Sequence, residues 1–140
     1  METGDWGKKD RLSHRTSIGV VGNGFVGGAV VNGFGTYCIV NVFDSDPDRC
    51  YNTYNETIFS DIVFVCLPTP MKVDGTQDIS ILLDSVKTLK KLNLNCLVII
   101  KSTIIPENIR LIENILPKFV YNPEFLREKH ASKDFIESKL

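Results

Sequence analysis

Apolar and polar positions along this chain change period repeatedly. Residues 17–21 (SIGVV) and 39–43 (IVNVF) are short apolar runs rich in β-branched side chains, and residues 61–67 (DIVFVCL) and 96–100 (CLVII) are two more. Runs of this length read as strands, and apolarity that is continuous rather than alternating predicts strands covered on both faces, as in a parallel sheet. Between them the spacing is helical. Residues 25–34 follow a glycine cluster and end near Gly35. Ile79, Leu82, Leu83, Val86 and Leu89 recur at helical intervals with Asp78 as N-cap. Ile109, Ile112, Ile115 and Leu116 follow Pro106 and Glu107 and stop at Pro117. Asp46-Pro47 predicts a further short helix, an N-cap acid followed by proline at the first helical position. Pro68 and Pro70 end the third apolar run, because proline cannot continue a ladder. Residues 119–121 read as a short last strand.

Gly22-Asn23-Gly24-Phe25-Val26-Gly27 is a G-x-G-x-x-G placed where the first strand gives way to the first helix. In that context the first glycine permits a tight turn, the second lets a pyrophosphate approach the main chain, and the third lets helix and strand pack closely. The helix N-terminus then turns unpaired N–H groups and a partial positive charge on the phosphates. Asp44 ends the second strand about twenty residues further on, where an acid accepts from ribose hydroxyls and repels a 2′-phosphate; this favours NAD over NADP. Arg49 pulls the other way, since arginine can hold a 2′-phosphate. The plainer alternative is a turn whose glycines bind nothing and an aspartate that only caps a strand. Thr69 follows the third strand, Ser102 and Thr103 the fourth, and Glu124 the last, so each offers a hydroxyl or carboxylate above one crevice at the C-terminal ends of the strands. For any one of them alone, capping or turn chemistry is the alternative. The pattern as a whole predicts an α/β, Rossmann-like doubly wound parallel sheet of about five strands, joined by right-handed crossovers.

A length of 140 residues suits one domain. Residues 1–15 read as a flexible leader without function and residues 16–140 as the dinucleotide-binding domain. With 43% hydrophobic and 24% charged residues the chain has an ordinary globular composition. Its formal net charge of -1 gives no electrostatic reason to expect nucleic acid or a membrane as partner. No apolar run is long enough to span a bilayer, and the charged residues Asp5, Lys8, Lys9, Asp10 and Arg11 have no apolar core behind them, unlike a secretory signal. Cys38, Cys50, Cys66 and Cys96 form no C-x-x-C pair and match no zinc spacing. Cys66 and Cys96 lie in strand-like runs and are expected as buried free thiols, which fits a reducing cytoplasm. His14 and His130 stand alone as surface residues, so no metal site is expected.

The segments GNGFVGGAV, FDSDPDR, CLPTPM, KSTIIP and NPEFLRE occur in the order and spacing of the nucleotide-sugar 6-dehydrogenases, the UDP-glucose and GDP-mannose dehydrogenase family. The resemblance covers residues 17–135, and PTP and NPEFLRE are far more specific than the glycine loop. It implies oxidation of a nucleotide sugar's C6 alcohol to a carboxylate with two NAD⁺ in succession, UDP-glucose being the first choice of substrate. The dinucleotide would lie on the loop of Gly22, Asn23, Gly24, Phe25, Val26 and Gly27, with Asp44 and Arg49 at the adenosine ribose. Pro68, Thr69, Ser102 and Thr103 would stand beside the cofactor, Thr103 also at the reaction centre. Main chain around Phe125, Leu126 and Arg127 would hold the sugar. Glu124 and Glu128 would order substrate, move protons or position water, with the roles not apportioned between them.

The chain also departs from that family. The resemblance places a catalytic cysteine in a glycine-flanked motif, a lysine and asparagine near the sugar, and a long dimerisation helix in a second half that lies beyond this chain. None of the four cysteines sits in such a motif, so capture of the aldehyde as a thiohemiacetal is not expected from this chain alone. The expectation is therefore an NAD-binding domain that is inactive alone and meets its nucleotide sugar only with a second half. A dinucleotide-binding module without catalysis, or a partner subunit, is the alternative. The stretch between the second and third apolar runs is short for the family, so the third Rossmann strand is expected to be missing or vestigial.

Overall fold

The computed structural model of the chain describes residues 15–92 and 95–123. Residues 1–14 of the expected leader, His130, and the whole group Glu124, Phe125, Leu126, Arg127 and Glu128 lie outside the described residues. The order of elements is β1 (Ser17–Val21), α1 (Phe25–Phe34), β2 (Ile39–Phe43), a single 3-10 turn (Pro47–Arg49), α2 (Tyr54–Ile58), β3 (Ile62–Val65), α3 (Ser80–Leu92), β4 (Leu97–Ile100), α4 (Pro106–Ile115) and β5 (Val120–Tyr121). All strand pairs are parallel, in the order β2-β1-β3-β4-β5. This is the α/β, Rossmann-like sheet that the alternation of periods predicts.

Side chains of the strands alternate between two apolar layers. Ile18, Val20 and Phe64 point to one face and pack with Ala29 and Val30 of α1. Val21, Val63, Val65, Val98 and Ile100 belong to the other face, with Ile58 of α2, Leu82, Val86 and Leu89 of α3, and Ile112 of α4. The helical spacing of the α3 residues puts all three on one stripe, and each side chain so buried contributes about 1.5–3 kcal/mol.

Register is what places the site. Val21 lies opposite both Phe43 and Val65, Val65 opposite Ile100, and Ile100 opposite Tyr121. The ladder runs one step further: the N–H groups of Gly22, Cys66, Lys101 and Asn122 donate to Phe43, Val21, Val65 and Ile100. Gly22, Asp44, Cys66, Lys101 and Asn122 therefore form one row along the C-terminal edge of the sheet.

The structure revises some boundaries. The third apolar run is a strand only over Ile62–Val65. Asp61 instead uses its carboxylate to accept from the Ser17 N–H (2.9 Å), and Leu67 turns toward Ser102. Asp46-Pro47 opens no more than the 3-10 turn, with Asp46 accepting from the Asp48 N–H (3.0 Å). The helix of that region is α2, whose capping box pairs the Thr53 hydroxyl with the Glu56 N–H (3.1 Å) and the Glu56 carboxylate with the Thr53 N–H (2.8 Å).

No third Rossmann strand follows β2 among the described residues, and β2 ends the sheet. Asn52 stands in for it. The Tyr51 and Asn52 N–H groups donate to the Val42 carbonyl (3.1 and 2.8 Å), and the Val42 N–H donates to Asn52 Oδ1 (2.8 Å). The cysteines are all free. Cys66 keeps partial exposure as a residue, but its thiol is buried as expected; Cys96, which precedes β4, is only partly buried, short of the expectation. No helix among the described residues is long and apolar enough to cross a membrane.

Candidate functional site

A cavity of about 680 Å³ opens over the C-terminal row of the sheet. Gly22, Gly24, Phe25 and Val26 of the glycine loop line it, with Asp44 and Arg49 beyond β2 and Pro68, Thr69, Ser102 and Thr103 beyond β3 and β4. Asn23 and Gly27 shape the loop without lining the cavity.

The glycines differ in what holds them. Gly22 has φ +99°, and a Cβ there would lie 2.3 Å from the Cys66 carbonyl oxygen. A Cβ on Gly27 would lie 1.7 Å from the Gly22 carbonyl oxygen, so α1 can sit this close to β1 only with glycine there. Gly24 is constrained by neither, since a Cβ there meets no protein atom within 4 Å. The space it leaves bare is next to an open helix end. α1 has no side-chain cap and no acid in its first turn. Its first internal bond runs from the Gly28 N–H to the Gly24 carbonyl (2.8 Å), so the N–H groups of Phe25, Val26 and Gly27 have no acceptor within the helix. Such an end favours an anion.

Asp44 is fixed by the main chain on both sides. One carboxylate oxygen accepts from the Asn23 N–H (2.7 Å) and the other from the Asp46 N–H (2.8 Å). Each oxygen keeps a further lone pair for a hydroxyl donor. Asn23 also donates its side-chain amide to the Arg49 carbonyl (2.9 Å), tying the loop to the turn after β2. The Arg49 guanidinium lies 3.7 Å from the Asp46 carboxylate, an exposed pair at the cavity rim.

At the opposite end the loops after β3 and β4 are bound into one unit. The Ser102 hydroxyl accepts from the Leu67 N–H (3.0 Å) and donates to the Leu67 carbonyl (2.7 Å), so it acts first as a main-chain bridge. The Thr69 hydroxyl donates to the Thr103 carbonyl (2.6 Å). The Tyr121 hydroxyl accepts from the Ile104 N–H (2.8 Å) and donates to the Ile104 carbonyl (3.2 Å). Lys101 is buried in the same row, with its ammonium on the Asn122 side-chain oxygen. Burial pushes the Cys66 thiol up to about 12, against the opposing pull of the Lys101 ammonium.

Several cavity residues carry no motif. Tyr54 enters from α2, set edge-on to Phe43 with centroids 5.1 Å apart and its hydroxyl 3.1 Å from Ser85 Oγ. Ile81, Asp84, Ser85 and Thr88 come from one face of α3. The T-Y-N-E capping box marks α2 in the sequence and would have found Tyr54, whereas the α3 face is polar enough to pass for a solvated one. Among the described residues no cluster of His, Cys, Asp or Glu could hold a metal ion.

Comparison with known proteins points one way. Residues 41–139 match the family model described as UDP-glucose/GDP-mannose dehydrogenase family, NAD binding domain. UDP-glucose 6-dehydrogenase of Rickettsia prowazekii is 36% identical over 104 residues, covering 69% of this chain and 24% of the relative. That of Rickettsia bellii is 35% identical over 91 residues, covering 59% of this chain and 21% of the relative. Among solved structures, a UDP-glucose dehydrogenase from Pyrobaculum islandicum superposes with a TM-score of 0.71 at 25% identity, over 89% of this chain and 39% of that one. GDP-mannose dehydrogenase from Pseudomonas aeruginosa shares the fold, with a TM-score of 0.68 at 22% identity over 84% of this chain and 38% of that one. The chain thus spans about a quarter or less of the length of the curated relatives it matches. With a parallel sheet, a bare glycine loop and an acid at the tip of β2, the chain belongs to the UDP-glucose/GDP-mannose dehydrogenase family and carries that family's NAD-binding domain.

Proposed function

We propose that this chain is the dinucleotide-binding part of an enzyme that oxidises the C6 alcohol of a nucleotide sugar to a carboxylate. UDP-glucose is the first-choice substrate, as the names of the relatives suggest. The observation that carries the reading is the empty space at Gly24 beside the uncapped start of α1. A diphosphate fits there against bare main chain, and no protein atom competes for the place. The pre-set Asp44 carboxylate lies one strand away and suits the 2′- and 3′-hydroxyls of an adenosine ribose.

In this reading the dinucleotide runs along the row at the strand ends, with adenosine over β2, diphosphate over β1 and nicotinamide over β3 and β4. When bound, NAD⁺ supplies a hydride acceptor. Thr69 and Thr103 line the cavity at that end and position the ring. Thr103, Glu124 and Glu128 are assigned to the reaction centre, where a carboxylate within reach of the sugar hydroxyl takes its proton or orders water. Phe125, Leu126 and Arg127 are assigned to the sugar. The chain alone is expected to bind NAD⁺ without turning over a nucleotide sugar.

Calorimetric titration tests the reading. NAD⁺ should bind at micromolar to millimolar concentration and NADP⁺ more weakly, because Asp44 repels the added phosphate. No heat with NAD⁺ would overturn it. Reduced cofactor should not accumulate when UDP-glucose is added to the chain alone; accumulation would reject the division of labour between two halves.

A further inference from the structure

Gln77 has no place in the motifs or among the cavity-lining residues, yet its side chain meets four groups from three segments. It lies on the return arm of a tight hairpin whose strands bridge at Met71 and Gln77 and whose turn closes with the Gly75 N–H on the Lys72 carbonyl (3.0 Å). From there Gln77 Nε2 donates to the carbonyls of Thr69 (3.2 Å) and Thr103 (2.8 Å). Its Oε1 accepts from the Ile105 N–H (3.1 Å) and from the Asn108 side-chain amide (3.2 Å). These four bonds fill the amide's capacity of two donors and two acceptor lone pairs. They also settle its orientation, since a flipped amide would set oxygen against two carbonyl oxygens and nitrogen against two donors.

The consequence reaches the cavity through Thr69. The Thr103 carbonyl receives both Gln77 Nε2 and the Thr69 hydroxyl, so both of its lone pairs are taken. The Thr69 hydroxyl proton points at the Thr103 carbonyl, and Gln77, bonded to the carbonyls of both residues, holds the two loops in the register that this bond needs. Toward the cavity that hydroxyl can only accept, which suits an N–H donor such as a carboxamide.

We propose that Gln77 is a positioning residue for the nicotinamide end of the dinucleotide. It locks the loops after β3 and β4 together and keeps the Thr69 hydroxyl as an acceptor for the carboxamide N–H. The inference rests on the NAD reading above. It places the effect of Gln77 at one end of the cavity, remote from the Asp44 and Gly24 end that holds the ADP part.

Titration with NAD⁺ and with ADP-ribose, which lacks only the nicotinamide, separates the possibilities. The chain should bind NAD⁺ more tightly than ADP-ribose. Gln77→Ala should weaken NAD⁺ about tenfold, the loss expected for misplaced hydrogen bonds, and leave ADP-ribose within about twofold. Gln77→Glu faces two carbonyl oxygens with a carboxylate at neutral pH; its NAD⁺ affinity relative to the unsubstituted chain should recover as the pH falls and a donor returns. If Gln77→Ala fails to fold, the pH response of Gln77→Glu carries the comparison. Equal losses for both ligands, no loss for NAD⁺, or a chain that binds ADP-ribose as tightly as NAD⁺ would overturn the proposal while leaving dinucleotide binding intact. A chain that binds neither ligand would overturn the NAD reading as well.

Discussion

A Cβ added at Gly24 meets no protein atom, whereas one added at Gly27 would sit 1.7 Å from a backbone oxygen of the same loop. The two positions should therefore answer differently to the same substitution. Gly24→Ala is expected to cost about 1 kcal/mol or less, the scale of an N-cap change, and to weaken NAD⁺ binding at least about tenfold because the methyl takes the phosphate's place. Gly27→Ala is expected to destabilise the fold by about 1–3 kcal/mol or more, since α1 must move off β1. Urea unfolding and NAD⁺ titration of both variants check this. The motif already gives the three glycines different tasks, and the surroundings of each agree with that division.

At the scale of elements, β1, α1, β2 and α4 are legible in the sequence because strand runs, the glycine cluster and the Pro106-Glu107 start each have a local physical cause. What is not legible depends on partners far along the chain. The shortened β3 is one case: the prolines mark where the run must stop, but the Leu67 N–H and carbonyl already turn to the distant Ser102 hydroxyl before them. The edge of β2 is another. Asn52 supplies to Val42 the acceptor that a neighbouring strand would supply, and Val42 is only 4% exposed. Asn52→Ala should leave that buried N–H without a partner and destabilise the chain by about 1–3 kcal/mol. Asn52→Asp, which keeps an acceptor oxygen, should recover part of the loss. Urea midpoints of the two variants decide the matter; equal midpoints for Asn52→Ala and the unsubstituted chain would show that water replaces Asn52 at no cost.

For the molecule as a whole, the row at the strand ends concentrates polar and charged groups above an apolar sheet, and one of them links folding to pH. Burial raises the Cys66 thiol from 9.0 to about 12, while the Lys101 ammonium pulls it back. A raised pKa in the folded state means that the full stability is present below the unfolded value and is lost as pH rises toward the folded one. Global stability should thus fall between about pH 9 and pH 12. In Cys66→Ala that alkaline decline should be shallower, as urea titrations at stepped pH would show. The site is only partly readable at this scale. The glycine loop, Asp44, Thr69 and Thr103 stand in motifs and meet at one cavity; Tyr54 and the α3 face arrive there by folding, Gln77 stands behind Thr69 and Thr103, and the carboxylates at positions 124 and 128 lie outside the described residues.

The double tether of Asp44 carries one more implication. The same carboxylate that suits a ribose also anchors the loop at Asn23 and the turn at Asp46. Redesign toward a phosphorylated cofactor would begin by neutralising this acid, but here that swap would slacken the phosphate cradle at the same stroke. Changing cofactor preference in this scaffold would take at least two coordinated replacements, one to admit the new charge and one to re-anchor the loop.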